Sequence, residues 1–218
     1  MEKSHFILFS PRKIYNDVNI MLNGKQLKPV EYTEFLGVYV DEKLSWKQHI
    51  NYIKSKVSKS LGILSLCRKH FDKKTLVSLY YSFIYPLLIY SIEVWGSSCK
   101  TYLQCLWKLQ KRCVRLISCS PYRAHKKRIF TQVGILSKLY DMKVLLFVYK
   151  FLNVKLPKVF ENFFITNNLY HSYSTRHGNL FRYPEINTEL RKNTLRCMAV
   201  HIFNHMYYNM DFFKEYGL

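Results

Sequence analysis

Residues Tyr32–Ile50 read YTEFLGVYVDEKLSWKQHI. A strand-like run is interrupted by Gly37 and passes, after Asp41, into a Trp-led segment of helical period. Gly37 stands between Phe35-Leu36 and Val38-Tyr39-Val40, where an isolated strand glycine marks a bulge or the close approach of another backbone or a ligand. A bulge is the simpler expectation. From Trp46 onward, Trp46, Ile50, Ile53, Val57, Leu61 and Leu64 recur at spacings of three and four, one apolar stripe of an amphipathic helix. The stretch therefore marks the change from a β-rich beginning to a helical remainder.

Upstream, His5 to Phe9 is an apolar run closed by Ser10-Pro11, and Val18 to Leu22 is followed by Asn23-Gly24, a two-residue hairpin signal, then Lys25-Gln26-Leu27. Downstream, Asp72 is a candidate N-cap for a second helix carrying Leu76, Leu79, Tyr80, Phe83, Leu87, Tyr90 and Val94. That helix is apolar on its other faces too, so it is expected to be central and buried, with a kink near Pro86. A third helix is expected from about Lys100 to Cys119, with Tyr102, Leu106, Leu109, Cys113 and Leu116 inward. Beyond the loop at Ser120-Pro121 come a basic cluster, Arg123 to Arg128, and a helix around Leu136 to Leu152. An extended segment, HSYSTRHGNLFRYP, and a last helix from Asn193 to Tyr208 follow. The fold class is α+β, mostly α: a short N-terminal β-hairpin or meander followed by a helical bundle. The expected division is 1–45, 46–120 and 121–218, the last region helical and extended.

Against 14 Asp and Glu the chain carries 34 Lys and Arg, a formal net charge of +20. An excess of this size implies a polyanionic partner, nucleic acid before an anionic membrane surface. The basic residues are spread over several helices rather than bordering one amphipathic segment, which disfavours membrane adhesion. With 17% aromatic residues the chain is too apolar for a disordered basic tail. No signal peptide opens it, and its most apolar run, Phe83 to Trp95, is shorter than the ~20 residues that span a bilayer and contains Glu93. The expected location is intracellular, nuclear or cytoplasmic, and not secreted.

Chemistry is sparse. The aspartates, Asp17, Asp41, Asp72, Asp141 and Asp211, each stand alone, so no acidic pair offers to hold two metals. No glycine-rich phosphate loop is present. The six cysteines, Cys67, Cys99, Cys105, Cys113, Cys119 and Cys197, form no C-x-x-C pair. His201 and His205 have i,i+4 spacing without the glutamate of a zinc-hydrolase helix. The sequence therefore predicts no catalytic residue, no metal site and no cofactor in this chain.

Binding is better supported. On the first helix Lys47, Asn51, Lys54, Ser55, Ser58 and Gly62 fall away from the apolar stripe, joining positive charge to small residues that admit a phosphate chain. On the third, Lys108, Lys111, Arg112 and Arg115 recur at three and four residues with no acidic partner among them, an arrangement that destabilises a free helix. Either face could be merely solvated. Together they favour a nucleic-acid surface.

FLGVYVDEKLSWKQHI, with LYYSFIYPLLIYSIEVWG downstream, resembles the region after the catalytic core in reverse transcriptases of non-LTR retrotransposons, the jockey-like LINE elements. The residues carrying the resemblance are Phe35-Leu36-Gly37-Val38, Asp41, Leu44, Trp46, His49-Ile50, Tyr81, Pro86, Leu88, Tyr90 and Trp95-Gly96. Lys3-Ser4 and His171 to Arg176 are similar to flanking segments of the same polyproteins. The resemblance implies that Phe35, Leu36, Gly37 and Val38 form a primer-grip-like hairpin at the end of the palm, and that residues 46–120 form a thumb-like bundle. It also implies that the partners are RNA and DNA as a template–primer duplex, together with the palm and fingers segment. The family's metal-binding aspartates, in a Y/F-x-D-D turn, have no counterpart here, so the Mg²⁺ of the full-length enzyme would be held elsewhere. The alternative is a non-catalytic helical protein-interaction module, or an unexpressed relic of a retroelement.

Overall fold

The computed structural model describes residues 4–10, 18–118, 136–170 and 178–215. Lys3, Cys119, Ser120-Pro121, the cluster Arg123 to Arg128 and the segment His171 to Arg176 lie outside the described residues. The chain is α+β and mostly α, with two compact units: Met1–Ser91 with Ser98–Val133, and Ile92–Ser97 with Gly134–Leu218.

The first unit begins with three two-stranded pairings. β1 (His5–Phe6) pairs in parallel with β4 (Lys28–Pro29), and β2 (Met21–Leu22) pairs antiparallel with β3 (Lys25–Gln26). Asn23 and Gly24 close the latter hairpin at φ 50 and 74, the left-handed pair that an Asn-Gly turn requires. The expected strands over 5–9 and 18–22 shrink to two residues each, and Pro29, lacking an N–H, cannot extend the first ladder.

β5 (Tyr32–Phe35) and β6 (Val38–Asp41) form an antiparallel hairpin with Phe35 opposite Val38. Gly37 therefore belongs to a two-residue turn, not to a bulge within one strand. Leu36 at φ 49 and Gly37 at φ 77 match the twist-compatible hairpin turn in which both central residues are left-handed.

α1 (Lys47–Cys67) buries Ile50, Ile53, Val57, Leu61 and Leu64, the expected stripe, and adds His49. Trp46 is not part of the buried row: it precedes the helix at φ 63. The second apolar segment is not one kinked helix. It divides into α2 (Lys73–Phe83), α3 (Tyr85–Ile89) and α4 (Ile92–Trp95). Pro86 can donate no bond back to the preceding turn, and Ser91 at φ 49 ends the next. The segment is not buried all round either. Leu76, Tyr80, Ile84, Leu88, Ile92 and Trp95 are buried, whereas Phe83, Tyr90 and Val94 are 56%, 53% and 46% exposed. Asp72 caps α2 as expected, its carboxylate accepting from the Thr75 N–H at 3.1 Å.

α5 (Lys100–Ile117) packs along α1 and against α2. Its inward residues are Leu106, Gln110, Cys113, Val114 and Ile117. Gln110, fully buried, donates Nε2 to the Tyr80 hydroxyl at 3.2 Å, and burial raises that phenol's pKa. The expected inward set of Tyr102, Leu109 and Leu116 is only partly covered. A buried glutamine whose amide meets a buried tyrosine reads as polar in any hydropathy pattern, and it rotates the core face.

In the second unit α4 packs on α6 (Leu136–Leu152), which packs on α9 (Leu195–Glu215), matching the helix expected from Asn193. Short helices α7 (Asn167–Tyr170) and α8 (Glu189–Lys192) lie between. An aromatic core joins Phe147, Phe151, Phe160, Phe163, Phe164, Phe181 and Phe203 through ring centroids 4.7–6.3 Å apart. Buried Asn204 on α9 holds the Phe181 backbone at both ends, accepting from its N–H at 3.1 Å and donating to its carbonyl at 2.8 Å.

Candidate nucleic-acid interface

α1 and α5 pack side by side and leave an open groove of about 1240 Å³ between them. α5 contributes Lys108, Lys111, Arg112 and Arg115, and Arg68 stands at the end of α1. The opposite wall is Ser58, Gly62 and Ser65, and Leu61, Leu66 and Leu116 complete the lining. Among the described residues no carboxylate lines the groove. Pairs three and four residues apart are neighbours on a helix, so Lys108 with Arg112 and Lys111 with Arg115 repel one another along α5. Polyanion binding would relieve that repulsion.

The small-residue wall leaves space. A Cβ added at Gly62 would meet nothing within 4 Å, so the groove is open where the glycine sits. Lys47 and Lys54 are exposed on α1 outside the groove lining, on the face that continues through Asn51 to Ser58. Of the six expected basic residues, four line the groove and two extend one of its walls. Arg68 and Ser65 were not expected. Their spacing of three from each other, and of three from Gly62 to Ser65, continues the same face and was available in the sequence. The Lys111 ammonium also lies 2.9 Å from the ring centroid of Trp107, a cation–π contact that sets one edge of the basic stripe.

The turn at residues 35–38 is a second feature of the same unit. Phe35 and Leu36 are 66% and 75% exposed at its tip, whereas Val38 is buried. Tyr90, following α3, donates its hydroxyl to the Leu36 carbonyl at 2.6 Å. A Cβ built on Gly37 would lie 3.4 Å from the Tyr90 ring, an ordinary contact, so it is the positive φ that calls for glycine here. The motif residues Gly37 and Tyr90, distant in sequence, thus meet in space.

The step from hairpin to helix is fixed by Asp41, 9% exposed. One carboxylate oxygen accepts from the Ser45 N–H at 3.0 Å and hydroxyl at 2.7 Å, and the other accepts from the Trp46 N–H at 2.8 Å. These are donors that the start of α1 leaves without helical acceptors. His49, 2% exposed, accepts from the Tyr39 N–H through Nδ1 at 3.3 Å. Burial holds its pKa below the ordinary 6.5, so the ring is neutral at pH 7. Asp41 and His49 therefore serve the architecture that presents the turn.

Among the described residues the other reactive groups do not assemble. Cys67, Cys99, Cys105, Cys113 and Cys197 are free thiols, and burial pushes Cys113 up to about 12. The rings of His201 and His205 lie 6.4 Å apart on α9. Among the described residues no group of three His, Cys, Asp or Glu could hold a metal ion. Among the same residues no helix is long and apolar enough to cross a membrane.

No family model matches the chain, and no solved structure matches it. Two curated relatives do. The RNA-directed DNA polymerase from mobile element jockey of Drosophila melanogaster is 28% identical over 106 residues, covering 47% of this chain and 12% of that protein. Its counterpart from Drosophila funebris is 29% identical over 108 residues, again 47% of this chain and 12% of the relative. This chain, over 47% of its length, is thus similar to the RNA-directed DNA polymerases of jockey mobile elements, of which the match takes in 12%.

Proposed function

We propose that this chain is a non-catalytic, thumb-like part of a retroelement reverse transcriptase that binds template–primer nucleic acid through the α1–α5 groove. The observation that carries this reading is the groove lining among the described residues: four cations of α5 facing a wall of serine and glycine on α1, Arg68 at the end of that wall, and no carboxylate. Lys108, Lys111, Arg112, Arg115 and Arg68 hold the phosphates of one strand. Ser58, Gly62 and Ser65 let the backbone lie close, and Lys47 and Lys54 extend the contact along α1. Phosphate contacts position a duplex without reading its sequence. The Phe35–Val38 turn meets the primer's 3′ end, and the catalytic aspartates with their Mg²⁺ belong to a palm segment that this chain completes.

Two measurements test the reading. Affinity for a primed RNA or DNA template should be independent of sequence and fall steeply with salt, each phosphate contact adding ~0.9 to the magnitude of the log–log slope on B-DNA. Lys111→Glu with Arg112→Glu should flatten that slope by about 1.8 on the same basis and weaken binding equally across sequences. Unchanged affinity and slope would reduce the stripe to a solvated face. Template-dependent primer extension by the purified chain alone would overturn its non-catalytic assignment.

A second reading, a helical protein-interaction module, is favoured by one observation: Ile63, Leu66, Phe71 and Phe83 of the first unit are 52–70% exposed. Absence of nucleic-acid binding together with stable capture of a defined protein partner would select it.

A further inference from the structure

Trp107 stands at one edge of the basic stripe of α5 and is 39% exposed, whereas Trp95 is fully buried and Trp46 half-buried. Gln104, Trp107, Lys108 and Lys111 follow one another at i, i+3, i+4 and i+7, so one face of α5 carries an amide, an indole and two ammonium groups. The helix contains no acidic residue to oppose an anion there. The Lys111 ammonium lies over the indole, 2.9 Å from the ring centroid, and the same side chain lines the α1–α5 groove. Groove and ring are thus joined by one side chain: a phosphate drawn to Lys111 brings its own nucleotide to the indole. A planar ring beside a row of cations suits a nucleobase, because every base has a π-face that stacks on it.

From this juxtaposition we infer that Trp107 is a base-stacking residue, and that the face of α5 around it takes an unpaired nucleotide of a single strand. Within a duplex each base is covered above and below by its neighbours, and a protein meets only base edges, sugars and phosphates. A stack on Trp107 is therefore open to an unpaired base, with Lys108 and Lys111 on the adjoining phosphates. The inference rests on the nucleic-acid reading of the α1–α5 groove and adds to it an affinity for single strands. The groove cations do not supply that by themselves, because single and double strands both present phosphates.

The test measures the full chain's affinity, by fluorescence anisotropy, for a labelled single-stranded oligothymidine and for a long blunt DNA duplex. Trp107→Ala, shown to be folded by circular dichroism, should bind the oligothymidine about five- to a hundredfold more weakly, the range that one base–ring stack supplies. Its affinity for the duplex should stay within about twofold, since the groove cations are untouched. Trp107→Phe keeps an aromatic ring and should restore most of the lost affinity. The oligothymidine should also quench tryptophan emission more strongly in the parent than in Trp107→Phe, and this comparison decides alone if the alanine variant does not fold. An oligothymidine affinity unchanged in Trp107→Ala would overturn the inference, as would equal losses on the two probes or equal quenching in the parent and Trp107→Phe. A parent that binds the duplex but not the oligothymidine would overturn it and leave the groove reading standing. A parent that binds neither would overturn the groove reading, and this inference would fall with it.

Discussion

Gly37 turns at φ 77 beside the ring of Tyr90, whose Cε1 would stand 3.4 Å from a Cβ at that position. Two constraints therefore act on one residue, the backbone conformation strongly and the space weakly. Substitutions can separate them. Gly37→Asn, which tolerates the left-handed region, should cost well under about 1 kcal/mol of unfolding free energy, whereas Gly37→Val should cost about 1–3 kcal/mol. Chemical denaturation of the two variants checks this. Equal losses would mean that crowding against Tyr90, not φ, sets the requirement.

Asp41 holds three donors at the entry to α1, two of them backbone amides. Replacing it by alanine leaves those amides without their acceptors in a half-buried junction. Asp41→Ala should lower stability by about 1–3 kcal/mol, and Ser45→Ala, which removes one hydroxyl, by less. Urea denaturation gives both values, and a neutral Asp41→Ala would remove the carboxylate from the account of how α1 starts.

His49 makes stability depend on pH. Burial lowers its folded-state pKa below the ordinary 6.5. Between the two values the unfolded chain binds the extra proton and the folded chain does not, so stability rises with pH across that window. The contribution is fully present above about 6.5 and is lost progressively as pH falls towards the folded-state value. Protonation at Nδ1 would also break the bond from the Tyr39 N–H. The melting temperature should fall between pH 7 and pH 5 in the parent and fall less in His49→Gln, compared by thermal scans in matched buffers. An identical pH dependence in the two would exclude His49 as its source.

Gly62 offers a way to divide folding from binding. It lies within α1 with open space beyond its Cα, so a side chain meets no neighbour there. Gly62→Ala should raise stability by about 0.5–1 kcal/mol, the ordinary cost of a mid-helix glycine. Gly62→Glu should also fold, yet it places a carboxylate in the groove and should weaken duplex binding more than tenfold, roughly the scale of a lost charge-assisted contact with added repulsion. Calorimetry and fluorescence anisotropy on the same preparations measure the two effects, and a Gly62→Glu chain that binds normally would move the nucleic acid out of the groove.

Much was legible in the sequence because it depends on local period. The α1 stripe, the Asn23-Gly24 hairpin, the Asp72 cap and the last helix each follow from residues within a few positions of one another, where propensity and backbone geometry act directly. The charge pattern of α5 was likewise readable, since like charges at three and four residues share a face wherever the helix is placed.

Tertiary structure decided the rest. Continuous hydrophobicity from Leu76 to Trp95 hid which residues are inward, because a segment apolar on every face carries no phase. Only packing on α1, α5 and α6 selects Leu76, Tyr80, Ile84, Leu88, Ile92 and Trp95. Gln110 entered the core because Tyr80 meets its amide there, a partnership across 30 residues that no window could contain. Gly37 was ambiguous for the same reason: strand period is shared by a bulge and a tight turn, and the pairing of Phe35 with Val38 resolves it. By itself the sequence determined that α1, α5, α6 and α9 are helical, where the hairpin turn at Asn23-Gly24 falls and which residues carry charge, because these are properties of neighbours. The tertiary structure alone brought the α1 wall to the α5 cations and Tyr90 to Leu36, because burial and long-range hydrogen bonds exist only once distant segments are packed together.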